Sequence, residues 1–554
     1  MKSIPASARV RWNTHRRVRK LAAWVASGMV VLGMAGTVEA APRHLRLSYS
    51  GDTTTTMSVA WNTDGQAASE VQYGLVAGTY TKTVAAKSTQ ANGELGWVHE
   101  VTLEGLQADT QYYYRAGSAA DGFTAESTFR TGPVQSEKCG SVKFAFLGDN
   151  RPDPTFGGGE NWPKILEQSV GHNPAFLLNG GDLVIEGDQL DQWNDLLGWT
   201  QPVASKYPFM PVIGNHDTGP GEGETANFNQ LFVLPRSTGA HGSGTEDYYH
   251  FTYGNAIFVA LSTEGFKGGT PVFSEQAAWL DEVLTANPRK WKFIYYHKPT
   301  YTHESYFSIS HGANEAGQNE AFVPVFDKHH VDVVFTSHNH WYERFEPSAC
   351  GTQGKAGSAA ACSVGKDNFA QGTVYYVSGG AGAFTIPAFL CGSEAGRATC
   401  SGKHHYILVD IHDEVAKLET WSAYPEKSEV IDTITITKAS ESCTSPQDAG
   451  PEAAGPDAGS GGAAGGVGAG GAGGSQSDAS AGKGGAAGTG GVAGKGGAAG
   501  SAAGAAGQGG EAEAAATSDG GCGCRTDVRS HGFTPLALLL GLSIGLLGMR
   551  RRGA

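Results

Sequence analysis

Apolar runs that stop abruptly at a polar loop recur through the middle of the chain. Phe144-Ala145-Phe146-Leu147 ends in Gly148-Asp149, Phe176-Leu177-Leu178 in Asn179-Gly180-Gly181-Asp182, and Met210-Pro211-Val212-Ile213 in Gly214-Asn215-His216-Asp217. Phe293-Ile294-Tyr295-Tyr296 ends in His297, and Val331-Asp332-Val333-Val334-Phe335 leads into Thr336-Ser337-His338-Asn339-His340. Short continuous apolar runs of this kind suit strands buried on both faces. Trp162–Val170 and Ser274–Leu284 instead repeat apolar residues at helical spacing, the second with Ser274 as the expected N-cap and Glu275 in its first turn. Buried strands alternating with helices predict an α/β domain over residues 139–443, which is ample length for one core.

Residues 42–133 carry a different pattern. Leu45–Tyr49, Met57–Trp61, Ser69–Gly74, His99–Leu103 and Gln111–Ala116 are short alternating runs separated by turn clusters, which predict an all-β module. No side chain in it offers catalytic chemistry, so its expected role is a scaffold against the α/β domain.

Composition changes the picture only at the ends. Much of the glycine content falls in residues 444–521, a Gly/Ala/Ser tract with almost no large apolar side chains. Such a tract buries too little surface to offset chain entropy and is expected to be a flexible tether. In residues 1–41, Arg11, Arg16, Arg17, Arg19 and Lys20 precede an apolar stretch from Leu21 to Ala35 and a small-residue site at Val38-Glu39-Ala40, the pattern of an export signal. In residues 522–554, Cys522-Gly523-Cys524 precedes an apolar run from Phe533 to Met549 and then Arg550-Arg551-Arg552. As a helix that run rises about 26 Å, just adequate for a bilayer core, so membrane contact is expected only through this tail. With export, the 8 cysteines argue for disulfides. Cys350 with Cys362 and Cys391 with Cys400 are spaced to clip single loops, and Cys139 with Cys443 to tie the ends of the α/β domain. Net charge −14 gives no basic field to steer nucleic acid, which excludes it as the expected partner.

The strand ends carry the chemistry. One Gly-Asp is ordinarily a turn, and one His-x-His an ordinary pair of histidines. Five such ends in series, supplying Asp149, Asp182, Asn215, His297 and the pair His338 and His340, point instead to a metal site on rigid strand-end loops. On an extended backbone His338 and His340 share a face, so both are expected to point the same way. Neutral imidazole with carboxylate oxygen suits zinc, iron or manganese.

In order and spacing these segments resemble the calcineurin-like metallophosphoesterases, and among them the purple acid phosphatases. Ser337-His338-Asn339-His340-Trp341-Tyr342-Glu343-Arg344 is a near match to their Gly-His-x-His-x-x-Glu-Arg, and Gly214-Asn215-His216-Asp217 to their Gly-Asn-His-Glu/Asp. Leu103–Tyr114 resembles the E–F corner of the fibronectin type III sandwich that precedes their catalytic domain, and the tail resembles myxobacterial sorting segments. The resemblance implies a two-sheet β-sandwich flanked by helices, behind an immunoglobulin/fibronectin-like sandwich. It implies two divalent or trivalent metal ions bridged by Asp182. Asp149 and His340 would complete one, and Asn215, His297 and His338 the other. His216 would sit beside the leaving group of a small phosphorylated substrate, and His303 or His311 on the loop after His297 would reach the mouth. The implied reaction is monoester hydrolysis by a metal-bound hydroxide in an exported, surface-tethered enzyme. Diester hydrolysis on the same site is one alternative, and a binding protein with a lapsed site is another.

Two positions depart from the family. The tyrosine that colours purple acid phosphatases is replaced by Ile185, and the histidine that other members place two residues after the first Asp is Arg151. Arg151 is instead a candidate contact for phosphate through its fork of donors. Iron-loaded protein is therefore expected to lack a strong visible tyrosinate band. An absorbance spectrum showing that band would refute the alignment at Ile185.

Overall fold

The computed structural model describes residues 41–66, 68–151, 160–221, 223–264, 272–303, 311–350 and 359–440. The expected export signal, Gly/Ala tether, sorting tail and Cys443 lie outside the described residues. Among the described residues no helix is long and apolar enough to cross a membrane.

The N-terminal module has nine strands: β1 (Arg43–Ser48), β2 (Met57–Thr63), β3 (Glu70–Gly74), β4 (Lys82–Ala85), β5 (Lys87–Gln90), β6 (Trp97–Leu103), β7 (Gln111–Ser118), β8 (Gly122–Phe123) and β9 (Ser127–Arg130). They form two antiparallel sheets, ordered β1-β2-β6-β5 and β4-β3-β7-β8, with β9 also on β7. β4 and β5 are one stretch of chain that changes sheets at Ala86. The expected corner is closed by Tyr112, whose hydroxyl accepts the N–H of Gln107 at 2.9 Å.

All seven residues of β2 are buried, where a sandwich strand facing water would alternate. The cause is the α/β domain lying against this sheet. Tyr49 is fully buried with its ring against Phe176, Phe251 and Tyr253. Arg46, also buried, donates from Nε to the carbonyl of Leu231 at 2.7 Å and from Nη1 to Asn62 Oδ1 at 2.8 Å. These contacts pack the module against the α/β domain.

The α/β domain follows. Its first half is β10 (Ser141–Leu147), α1 (Asn161–Val170), β11 (Phe176–Asn179), α2 (Leu190–Ala204), β12 (Phe209–Pro211), α3 (Asn227–Leu231), β13 (Tyr249–Tyr253) and β14 (Ala256–Ala260). Then come α4 (Phe273–Ala286), β15 (Trp291–Tyr295), α5 (Asn319–His329), β16 (Val333–Thr336), β17 (Tyr342–Phe345) and β18 (Val374–Ser378). β19 (Arg397–Ser401), β20 (His405–His412), β21 (Val415–Ser422) and β22 (Val430–Thr437) complete it. One sheet has the order β12-β11-β10-β20-β21-β22, the other β13-β14-β15-β16-β18-β17-β19. β10, β11 and β12 run parallel, as do β14, β15, β16 and β18.

Aromatic rings join the two sheets. Phe144 meets Phe258 and Phe293 edge-on at 5.0 and 5.1 Å, and Phe146 stacks on Phe335 at 4.9 Å. This core fixes one sheet over the other, so the loops that follow their parallel strands meet at one place. Two of the expected disulfides are present, Cys350–Cys362 and Cys391–Cys400. One expectation fails. α4 starts at Phe273, so Ser274 lies inside its first turn and caps nothing. The start is anchored instead by Gln276, whose amide brackets the N–H and C=O of Ser262 just beyond β14, at 2.7 and 3.0 Å.

Tyr49→Ala would empty the contact between the module and the α/β domain. It is expected to cost about 3–5 kcal/mol, as for other buried aromatics. The loss should appear in the urea midpoint, with module and domain still unfolding in one transition.

Candidate metal centre

Three of the strand-end loops bend sharply at a ligand position. Asp149, Asp182 and His338 have φ of 53°, 55° and 69°, the left-handed region that non-glycine residues rarely adopt. Cross-loop hydrogen bonds hold them there. Asp149 N–H donates to Gly181 O at 3.1 Å, Arg151 N–H to Asp182 O at 3.0 Å, and Ala383 N–H to Asp149 O at 2.9 Å. The fully buried Asp217 latches two loops together by accepting the N–H groups of Leu183 (2.7 Å), Val184 (3.1 Å) and Gly214 (2.8 Å). Burial beside the charge of Asp182 pushes the Asp217 carboxyl up from its usual range, and the donated N–H groups oppose that shift. A Cβ on Gly214 would fall 2.4 Å from Asp182 Oδ1, so only glycine lets the Asn215 loop approach the carboxylate.

The loops bring together two groups that share Asp182. In one, His297 Nε2 lies 3.2 Å from Asp182 Oδ1, 3.0 Å from Asn215 Oδ1 and 3.0 Å from His338 Nδ1. His297 Nδ1 faces the carbonyl of Gly180 at 2.9 Å, so the ring proton belongs there and the neutral ring turns its Nε2 lone pair inward. Lone pairs therefore converge on one point, which suits a cation bound by N and O donors. The electrostatics show the same demand for positive charge at this point, met by a proton on His297 Nε2 when no cation is bound. Burial lowers the pKa of His297, but the Asp182 carboxylate more than offsets this and raises it to about 10. Burial raises Asp182 in turn, and His297, His216 and Arg151 hold it well below the usual carboxylate range.

The other group is Asp149, Asp182 and His340, whose ligand atoms all lie within 4.8 Å of one another. Asp149 Oδ1 is 3.4 Å from His340 Nε2 and, though buried, has no hydrogen-bond partner. An orphaned buried carboxylate oxygen is the other mark of a site built for a cation. Both donor sets fit metal ions of the expected kind. Arg151 intrudes on this group, with Nε 3.3 Å from Asp182 Oδ2 and Nη2 3.4 Å from His340 Nε2.

The two histidines of the pair do not share an extended face, contrary to expectation. β16 ends at Thr336, and the chain turns at His338 because Asp149 Oδ2 accepts that residue's N–H at 2.8 Å. His338 consequently joins Asp182 and His297, while His340 joins Asp149 and Asp182. Asn339, between them, brackets the backbone of His311 by accepting its N–H at 2.7 Å and donating to its C=O at 2.9 Å.

His216 stands at the edge of the site with its side chain 31% exposed. Its Nδ1 donates to the carbonyl of Ile185 at 2.6 Å, and its Nε2 lies 3.9 Å from Asp182 Oδ2. Position 185 thus serves the site through its backbone. His303 is in neither group; its Nδ1 faces Glu394 at 3.2 Å and its N–H faces Glu343. His311 lies over His338, with ring centroids 4.0 Å apart and Nδ1 2.9 Å from Glu315 Oε2. Asp217, Glu315 and Asn339 escaped the sequence reading. Asp217 was visible in the Gly-Asn-His-Asp run, whereas nothing in the local pattern marks the other two.

Two family models match the chain: purple acid phosphatase, N-terminal domain, over residues 42–131, and calcineurin-like phosphoesterase over residues 142–342. The chain is 27% identical to purple acid phosphatase 23 of Arabidopsis thaliana over 55% of its own length and 74% of that protein's. It is 28% identical to acid phosphatase type 7 of Homo sapiens over 57% and 74%. The structure of purple acid phosphatase PPD1 from yellow lupin (Lupinus luteus) seeds shares its fold, with TM-score 0.59 and 18% identity over 72% of this chain and 74% of that one. Fold and site together are those of a metal-dependent phosphoric ester hydrolase. The chain belongs to the calcineurin-like metallophosphoesterases and, within them, to the purple acid phosphatase group.

Asp217→Ala would leave three buried N–H groups without an acceptor. A stability loss of at least about 3 kcal/mol is expected in chemical denaturation. Bound metal, measured by elemental analysis, should fall with it, because the loops of Asp182 and Asn215 lose their common latch.

Proposed function

We propose that the protein is an exported dinuclear-metal phosphatase acting on small phosphate monoesters. Asp182, shared by two groups of cation-seeking donors, carries the reading. Asp149, Asp182 and His340 would hold one ion, and Asp182, Asn215, His297 and His338 the other, with Fe, Zn or Mn as the candidates. When bound, such a pair acidifies water and neutralises phosphoryl oxygens.

The chain's own residues supply the rest. His216 commits Nδ1 to the Ile185 carbonyl, which presents Nε2 to the leaving oxygen and allows a proton to be held there. Arg151, with its fork beside Asp182 and His340, is placed to pair with a phosphoryl oxygen. His311, pinned by Asn339 and Glu315 over His338, belongs at the substrate mouth. His303, held against Glu394, is assigned a supporting place in the loop. The disulfides fit an oxidising compartment, in keeping with export and a surface tether. The domain plan is that of the sequence, with 42–133 as scaffold and 139–443 as catalytic body.

Purified, metal-analysed protein should hydrolyse an aryl phosphate faster than a bis-aryl phosphate. Asp182→Asn is expected to lower kcat/KM on the monoester by roughly 10³-fold or more. A preference for the diester would move the assignment to a phosphodiesterase, and no metal-dependent turnover would leave a binding protein.

A further inference from the structure

The two donor groups are unequal. The Asn215–His297–His338 side brings four protein donors, counting Asp182, and among the described residues no Lys or Arg is paired with Asn215, His297 or His338. The Asp149–His340 side brings three, and the Arg151 guanidinium already sits on two of them, with N atoms 3.3 Å from Asp182 Oδ2 and 3.4 Å from His340 Nε2. Those oxygen and nitrogen lone pairs are the ones a metal ion on this side must use. The Arg151 side chain is only 11% exposed, so its charge is poorly screened and is felt in full by any ion entering beside it. Its backbone has no room to withdraw, because Arg151 N–H is bonded to Asp182 O at 3.0 Å. Relief comes only from rotation of the side chain.

We propose that Arg151 competes with a metal ion for the Asp182–His340 edge, which makes this side the weaker, last-filled and readily exchanged of the two sites. The inference rests on the dinuclear assignment above and adds a filling order and its cause. A guanidinium here does what a family ligand at the same position does not: it sets a positive charge beside the carboxylate where the ion would lie. Full loading therefore requires Arg151 to swing off the carboxylate, and the freed fork becomes available to an anion. Charge is the operative property, so a neutral residue should release the site and a lysine should not.

The test is a Zn²⁺ titration of the full chain, stripped with chelator, against a chromophoric competitor. Bound metal is confirmed by elemental analysis and folding by circular dichroism. Wild type is expected to bind two equivalents, the second at least tenfold more weakly than the first. Arg151→Gln should tighten the second equivalent tenfold or more and leave the first unchanged, while Arg151→Lys stays within threefold of wild type. Equal affinities in wild type overturn the proposal. So does a second equivalent that Arg151→Gln leaves unchanged or weakens, or that Arg151→Lys tightens as much as Gln does. A wild-type chain that binds no zinc, indistinguishable from Asp182→Asn, would overturn the dinuclear assignment itself.

Discussion

A buried carboxylate pressed against inward-facing lone pairs is the constraint on which the rest of this structure depends. Asp182 is almost wholly shielded from water, and Asn215, His297 and His338 all present acceptors toward the point it faces. In a medium of low polarity such an arrangement is strongly unfavourable unless positive charge lies within it. The loops pay for this with left-handed backbone at Asp149, Asp182 and His338, and the rigid sheets beneath supply the stiffness that keeps them so. A site of this kind cannot be carried on loops alone. It needs two sheets fixed face to face, which the Phe144, Phe146, Phe258, Phe293 and Phe335 rings provide.

The motif after β16 divides its work between chemistry and construction. His338 and His340 face the site, whereas the residues that follow tie it to the body. Glu343, fully buried, accepts the Thr302 hydroxyl at 2.6 Å and the guanidinium of Arg397 at 2.5 Å. It thereby fastens the loop after β15 to the disulfide-clipped loop around Cys391–Cys400. Tyr342 and Arg344 both bond Asp432 on β22, in the opposite sheet, at 2.5 and 2.6 Å. Removing one partner of such buried pairs leaves an uncompensated charge, which explains why a stretch with only two candidate ligands is so long.

The sequence revealed what is local and hid what is not. Strand ends were legible because a buried parallel strand is a short apolar run and its ligand follows within a few residues, as for Leu147 and Asp149 or Tyr295 and His297. The Tyr112 corner was legible for the same reason. α2 and α5 were not, since Pro202 and Pro324 lie inside them and interrupt the helical pattern. The split of His338 from His340 was hidden because it is imposed by Asp149, 189 positions upstream. Asn339 and Glu315 have meaning only through the pairing of Asn339 with His311 and of Glu315 with His338, which the fold brings about.

The N-terminal module belongs in the same physical account. A sheet with one face on its own partner and the other on the α/β domain must be buried throughout, and β2 is. Arg46 satisfies the backbone carbonyl of Leu231, at the end of α3, and the Tyr114 hydroxyl bonds the carbonyl of Ser205, where α2 ends, at 2.7 Å. α2 and α3 flank the chain that runs through β12 to the Asn215 loop. By bonding the carbonyls at those helix ends, groups that have no partner within the helix, the module stiffens the frame from which Asn215 and His216 are presented. The module thus meets the α/β domain at the helix ends on either side of this part of the site.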